Sequence, residues 1–288
     1  MTTTYNNLYL DIRAGLKAAG VEMATLEARE LTCFATGKSR EELVRDGALY
    51  ASPELEQRAR DLLKRRLAGE PVAYLIGEWE FFGLPLDISA DVLIPRTDTE
   101  VLASEAIDFC RTLGECRVLD LCAGSGCVGL ALASRVQQAR VILGEVSEAA
   151  LKICRQNVRR TGLSGRVVSM QIDARQKPSP ALGEFGCIVS NPPYIPAGDI
   201  GTLDPAVRDY EPHLALDGGE DGLDFYRDIV EKWRQALSLG GRLYFEVGIG
   251  QADSVLRIMR AAGFGDIQVV KDTRGIPRVV FGTLCSAV

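Results

Sequence analysis

From Glu100 to the carboxyl terminus, short apolar runs take turns with helix-period segments, and that alternation narrows the choice of folds more than any other feature. Strands are expected at 117–122, 140–146, 166–172, 186–190, 242–248, 266–271 and 278–284. Between them, apolar residues spaced by three and four predict helices at 99–112, 126–136, 148–160, 223–238 and 251–262. Strands joined through helices pair in parallel, and the helices then cover both faces of the sheet. The expected fold is α/β, with a seven-stranded, mostly parallel Rossmann-like sheet.

The amino-terminal quarter has a different character. Residues 1 to about 75 lack strand patterning but carry helix signals. Ser39 with Glu42 forms a capping box, and Ser52-Pro53-Glu54 places a cap before a proline at the first helical position. The helix so opened runs through Leu67 and ends before Gly69. Around Trp79, Phe81, Leu84, Leu86 and Ile88 the pattern becomes alternating, with Gly83 interrupting it, as in a β-hairpin. The expected organisation is a helical domain at 1–73, a hairpin linker at 74–95 and a catalytic domain at 96–288.

Composition excludes several classes. A net charge of −6 argues against a general polyanion binder. No apolar run reaches 18 residues, and Met1 to Leu10 lacks the basic and apolar segments of a signal peptide, so a cytoplasmic protein is expected. The eight cysteines include no Cys-x-x-Cys pair and His213 is the sole histidine, so no metal site is expected and the thiols read as reduced and buried.

Two segments carry chemistry. Asp120-Leu121-Cys122-Ala123-Gly124-Ser125-Gly126 is a glycine-rich loop after an apolar strand, where small residues let a ligand approach the backbone and the next helix offers unpaired N–H groups. Glu145 closes the next strand, 25 positions after Asp120, where a carboxylate can accept both ribose hydroxyl protons. Asp173 and Ala174 close the third strand, where an adenine ring would lie. Alone, the loop is shared by nicotinamide, flavin and methyl-donor proteins.

The second segment is Asn191-Pro192-Pro193-Tyr194, at the end of Cys187-Ile188-Val189-Ser190. Prolines lack an N–H and end the strand, leaving an amide side chain and free carbonyls at the carboxyl edge of a sheet, where α/β ligands bind. An amide or exocyclic amine nitrogen has a delocalised lone pair, so methylating it needs orientation more than a strong base. The Asn191 side-chain oxygen and the Pro192 carbonyl can accept the two protons of such an NH₂ group and hold it in a near-attack arrangement. Tyr194 can lie against the planar group and exclude water.

With these residues in view, the chain resembles the protein-(glutamine-N5) methyltransferases that modify peptide chain release factors, over nearly its whole length. Further matching segments are Pro71 to Gly77, Leu93-Ile94-Pro95-Arg96-Thr97-Asp98-Thr99-Glu100, Tyr210-Glu211-Pro212, Ala215 to Gly219, Asp221-Gly222-Leu223, Phe245-Glu246-Val247-Gly248 and Lys271 to Gly275. The resemblance implies a class I methyltransferase domain, S-adenosyl-L-methionine as donor, and the glutamine of a release factor's Gly-Gly-Gln loop as acceptor. It implies donor binding by Cys122 to Gly126, Glu145 and Ala174, and Asp120, Asp173 and Asn191 are further candidates for donor binding. Acceptor binding would fall to Asn191 through Tyr194 and Arg96, with no membrane and no stable nucleic-acid partner. The sequence departs from the family pattern at Cys122, where glycine is usual, at Thr97-Asp98, where Pro-Glu is usual, at Gly186, often aspartate, and at Ala174, often larger and aromatic. Three rivals remain at this level: methylation of a ribosomal-protein glutamine, methylation of a flipped DNA adenine, and a binding module with no turnover. His213 reads as structural or exposed, and Lys64-Arg65-Arg66 as a solvated helix face.

Overall fold

The computed structural model describes residues 3–285. They form two compact units, one of residues 3–78 with 205–210 and the other of residues 79–204 with 211–285.

The smaller unit is helical: α1 (Tyr5–Ala18), α2 (Ala24–Thr36), α3 (Arg40–Arg45), α4 (Pro53–Leu67) and α5 (Val72–Ile76). Leu8, Ile12 and Leu16 recur every fourth residue of α1 and are buried with Ala28 and Leu31 of α2 and Ala59 and Leu62 of α4. The capping box forms as read: the Ser39 hydroxyl accepts the Glu42 N–H, and the Glu42 carboxylate accepts the Ser39 N–H. Ser52 caps α4 with Pro53 next in line. The basic run is less free than expected, since Arg66 pairs with Glu27 of α2 at 2.7 Å and Arg65 pairs with Glu70. The short helix α9 (Pro205–Arg208) belongs to this unit, and the Tyr210 hydroxyl donates to the Ala68 carbonyl at 3.2 Å.

The larger unit begins at Trp79, within the hairpin of β1 (Glu78–Phe81) and β2 (Leu84–Asp87), turned at Gly83 with φ +78°. It continues through α6 (Thr99–Thr112), β3 (Cys116–Leu121), α7 (Cys127–Arg135), β4 (Ala139–Glu145), α8 (Glu148–Arg160), β5 (Val167–Gln171) and β6 (Phe185–Ser190). After the stretch in the smaller unit come α10 (Asp224–Trp233), β7 (Leu237–Glu246), α11 (Ala252–Ala261), β8 (Phe264–Lys271) and β9 (Pro277–Leu284). The seven-stranded sheet has the order β5-β4-β3-β6-β7-β9-β8. Pairing is parallel from β5 across to β7 and antiparallel on both sides of β9. The chain builds outward from β3 through β4 and β5, then returns to β3's other side with β6. That reversal opens a crevice at the carboxyl ends of β3 and β6.

Buried Trp233, Tyr226, Phe185 and Phe245 anchor the core on the β6–β7 side. Each such aromatic contributes about 2–3 kcal/mol through its burial. The largest differences from the expected bounds fall at β7 and α10. β7 starts at Leu237, ahead of the expected 242, because Leu237 pairs with Phe185 before an irregularity in the ladder. α10 ends at Trp233, and a 3₁₀ turn at Arg234–Ala236 replaces the last expected turn.

Candidate active site

The loop after β3 runs through left-handed backbone at Cys122 (φ +60°), Gly124 (φ +54°) and Gly126 (φ +82°). This winding carries the chain from β3 into α7, with the Ala123 N–H donating to the Gly144 carbonyl and the Gly126 N–H to the Ala123 carbonyl. Glu145, buried at the end of β4, holds the loop: its carboxylate accepts the Gly124 N–H and the Ser147 N–H, each at 2.9 Å. Asp120 accepts the Gly129 N–H of α7 at 2.9 Å. Burial, with the Glu145 charge adding to it, pushes the Asp120 carboxyl up to about 7. Asn157 of α8 joins this loop to the hairpin, donating to the Ser125 and Asp87 carbonyls while accepting the Asp87 N–H. The Ser125 hydroxyl is buried beside the loop with no partner among the described residues.

Glycine is required at two places here. A Cβ on Gly126 would stand 3.0 Å from Leu143, in addition to the strain of its positive φ. A Cβ on Gly129 would come within 2.3 Å of the Leu143 side chain. Gly129 therefore lets α7 lie close on β4.

Asp173 folds back on its own turn, accepting the Arg175 N–H at 2.8 Å. Ala174 is buried, and its carbonyl accepts the Trp233 indole N–H at 2.9 Å. Phe225, at the start of α10, borders the same space and lies beneath the Arg175 guanidinium, 5.4 Å from ring centre to Cζ. The sequence reading did not single out Phe225. The Asp221-Gly222-Leu223 segment just before it was the available signal.

The Asn191 to Tyr194 turn leaves the end of β6, tied to β3 by the Ser190 hydroxyl, which donates to the Leu121 carbonyl at 2.9 Å. Glycines close around its backbone. A Cβ on Gly218 would meet Tyr194 Cα at 2.8 Å and the Pro193 carbonyl at 2.9 Å, and one on Gly222 would meet the Tyr194 carbonyl at 2.4 Å. Gln251 donates to that carbonyl at 2.8 Å, and Ile195 bridges to Asp217. The matching segments at 215–219, 221–223 and 245–248 thus form a clasp for the proline turn. Burial raises the Tyr194 phenol well above its ordinary value, so its hydroxyl stays protonated.

Arg96 donates to Glu211, and the other Glu211 oxygen accepts the Ile94 N–H at 3.3 Å. The Ile-Pro-Arg and Tyr-Glu-Pro segments are one structural feature, linked by a half-exposed guanidinium and a buried carboxylate. Burial raises the Glu211 carboxyl, and Arg96 works against that.

These pieces line one cavity of about 530 Å³. Asp120, Cys122, Ala123, Gly124, Ser125, Glu145, Asp173 and Ala174 border it at one end, and Arg96, Thr99, Asn191 and Pro193 border it as well. Of the expected residues, Gly126, Pro192 and Tyr194 do not border it. His213 does, although it is exposed. Among the described residues no group of side chains is placed to hold a metal ion, and no helix is long and apolar enough to cross a membrane.

Comparison with known proteins matches residues 8–77 to the PrmC N-terminal domain and residues 86–203 to the methyltransferase small domain. A release factor glutamine methyltransferase of Geobacter sulfurreducens is 42% identical over 274 residues, covering 94% of each chain. One from Caulobacter vibrioides is 36% identical over 284 residues, covering 98% of this chain and 97% of its own. A methyltransferase structure from Pyrococcus furiosus is 18% identical with a TM-score of 0.51, covers 78% of this chain and 99% of that one, and shares the fold.

Proposed function

We propose a reaction for a chain that belongs to the release factor glutamine methyltransferase family: transfer of a methyl group from S-adenosyl-L-methionine to a glutamine side chain of a peptide chain release factor. A glutamine side chain has a single nitrogen, the N5 amide, so that atom is the acceptor. In the reading we favour, the glutamine is that of the Gly-Gly-Gln loop. The observation that carries the proposal is the placement of Asn191 and Pro193, at the end of β6, on the same cavity as Glu145 and the glycine loop.

The residues present suit the donor. Glu145 borders the cavity where ribose hydroxyls would donate to it, and the unpartnered Ser125 hydroxyl, on the same cavity, suits the polar amino-acid end. Phe225 and Ala174 border the part of the cavity suited to the adenine. The donor supplies an electrophilic methyl on a sulfonium.

The chain's own residues supply position. The Asn191 side-chain oxygen accepts one amide N–H of the substrate, and a carbonyl of the proline turn accepts the other. Both bonds strengthen as positive charge grows on the nitrogen. The methyl bond to nitrogen forms as the bond to sulfur breaks, and the nitrogen then sheds one proton to water. No base of shifted pKa is needed, because the methylated cation is far more acidic than the amide. Tyr194, kept protonated and set back from the cavity, supports the proline turn and does not act as a base.

The test is transfer of labelled methyl to a purified release factor, beside a copy with its Gly-Gly-Gln glutamine changed to alanine. Label on the native factor alone is expected, and Asn191→Ala is expected to abolish it while retaining donor binding. Label on neither factor overturns the reading and directs attention to ribosomal-protein glutamine or DNA adenine.

A further inference from the structure

Glu246 closes β7, 2% exposed, with one carboxyl oxygen, Oε2, lacking any partner among the described residues. A buried carboxyl with an oxygen left unpartnered costs several kcal/mol of desolvation, so stability does not explain it. Its place in the sheet does suggest a use. The parallel ladder pairs Ser190 with Phe245, so the next residues along are Asn191, just past the end of β6, and Glu246, the last residue of β7. Thr99, the first residue of α6 and 2% exposed, stands with them: Asn191 Nδ2 donates to its hydroxyl oxygen at 3.4 Å. The Tyr226 hydroxyl donates to the Glu246 carbonyl at 2.9 Å, holding the end of β7 in place.

We propose that Glu246 and Thr99 are positioning residues that set the direction of the Asn191 amide. The inference rests on the reading of Asn191 as the acceptor-holding residue. A threonine hydroxyl can donate or accept, and an asparagine amide can present either end. Left alone, the pair has two arrangements of similar energy, and one of them turns the Asn191 NH₂ toward the substrate nitrogen, which it would repel. An ionised carboxylate only accepts. With Glu246 beside it, Thr99 spends its proton on the carboxylate, its oxygen must then accept from Asn191 Nδ2, and the Asn191 carbonyl is left for the substrate. Donor-to-acceptor polarity runs one way from substrate to Glu246.

The carboxylate form is the one that fixes this polarity. Burial raises the Glu246 carboxyl to about 7, and the neighbouring Thr99 hydroxyl and Arg278 guanidinium work against that. The groups facing it are Arg278 of β9, Asp98 and Arg96 before α6, Tyr194 after β6, Cys127 of α7 and Tyr226 of α10. The ordered arrangement is therefore present above about pH 7 and fades below it.

The experiment measures single-turnover transfer, donor affinity by calorimetry and melting temperature for Thr99→Val, Thr99→Ser and Glu246→Gln. Thr99→Val and Glu246→Gln are expected to slow transfer roughly ten- to hundred-fold, with donor affinity and melting temperature held. Thr99→Ser, which keeps the hydroxyl, recovers most of the rate. The wild-type rate falls as pH drops below about 7, and Glu246→Gln lacks that fall. Normal turnover in Thr99→Val, or losses of rate that track losses of donor affinity and melting temperature, overturns the inference. If the wild type itself transfers nothing to a release factor, the function reading has failed. The inference is then judged by the Asn191 side-chain amide in ¹⁵N nuclear magnetic resonance. Thr99→Val is expected to shift that resonance and speed its hydrogen exchange, and an unmoved resonance overturns the proposal.

Discussion

Cys122 shows how much a single residue of the donor loop is asked to do. It sits at φ +60°, a left-handed conformation that costs a residue with a Cβ about 1–2 kcal/mol. Replacing Cys122 with glycine relieves the strain but gives up the packing of a mostly buried thiol, whereas alanine keeps the strain and loses the sulfur. The glycine variant is thus expected to unfold at higher urea than the alanine variant, by about 1 kcal/mol, the reverse of the usual order for these two residues. An alanine variant at least as stable would show that the loop adopts another conformation in solution. The sequence made this site legible where a residue's chemistry is local: Glu145 after its strand, the glycines after theirs, the amide before two prolines. It left Thr99 and Phe225 unread, because neither type is unusual. Their significance comes from which strand end they stand beside.

Among elements, the contact of α7 with β4 rests on Gly129. Alanine in a helix is favoured over glycine by about 1 kcal/mol, yet a Cβ here would overlap the Leu143 side chain at 2.3 Å and crowd Val141 at 3.0 Å. Overpacking of that kind costs about 1–3 kcal/mol, and moving α7 would also disturb the N–H that Gly129 donates to Asp120. Gly129→Ala is expected to lose stability and weaken donor binding together. A variant as stable as the wild type would refute the close contact. Periodicity placed nearly every helix and strand of the larger unit, because alternation of apolar runs is a local property. The strand order was not in that pattern. It depends on which side of β3 the chain returns to. The early start of β7 was hidden too, since only Leu237 pairs with Phe185, and Ser238 to Gly241, with Gly240 at φ +78°, lie in the irregular stretch before Arg242 rejoins the ladder.

For the whole molecule, two interior acids govern the response to pH. Asp120 and Glu246 keep their protons to about 7 in the folded chain, whereas unfolded carboxyls lose theirs near 4. The folded state then binds more protons than the unfolded state between these values, so stability falls as pH rises through that window. Asp120→Asn removes one of the two groups and is expected to shrink the drop in urea midpoint between pH 5 and 7.5; an unchanged drop would place the effect elsewhere. Connectivity has a consequence for inheritance. Residues 205–210 begin eleven positions after Tyr194 yet fold with the helices of residues 3–78. The two units are therefore not two uninterrupted lengths of gene. A crossover between relatives at residue 78 would bring a foreign helical unit to a resident Tyr210, whose hydroxyl expects the Ala68 carbonyl. Exchange of amino-terminal units among such enzymes should succeed mainly when this hexapeptide travels with them.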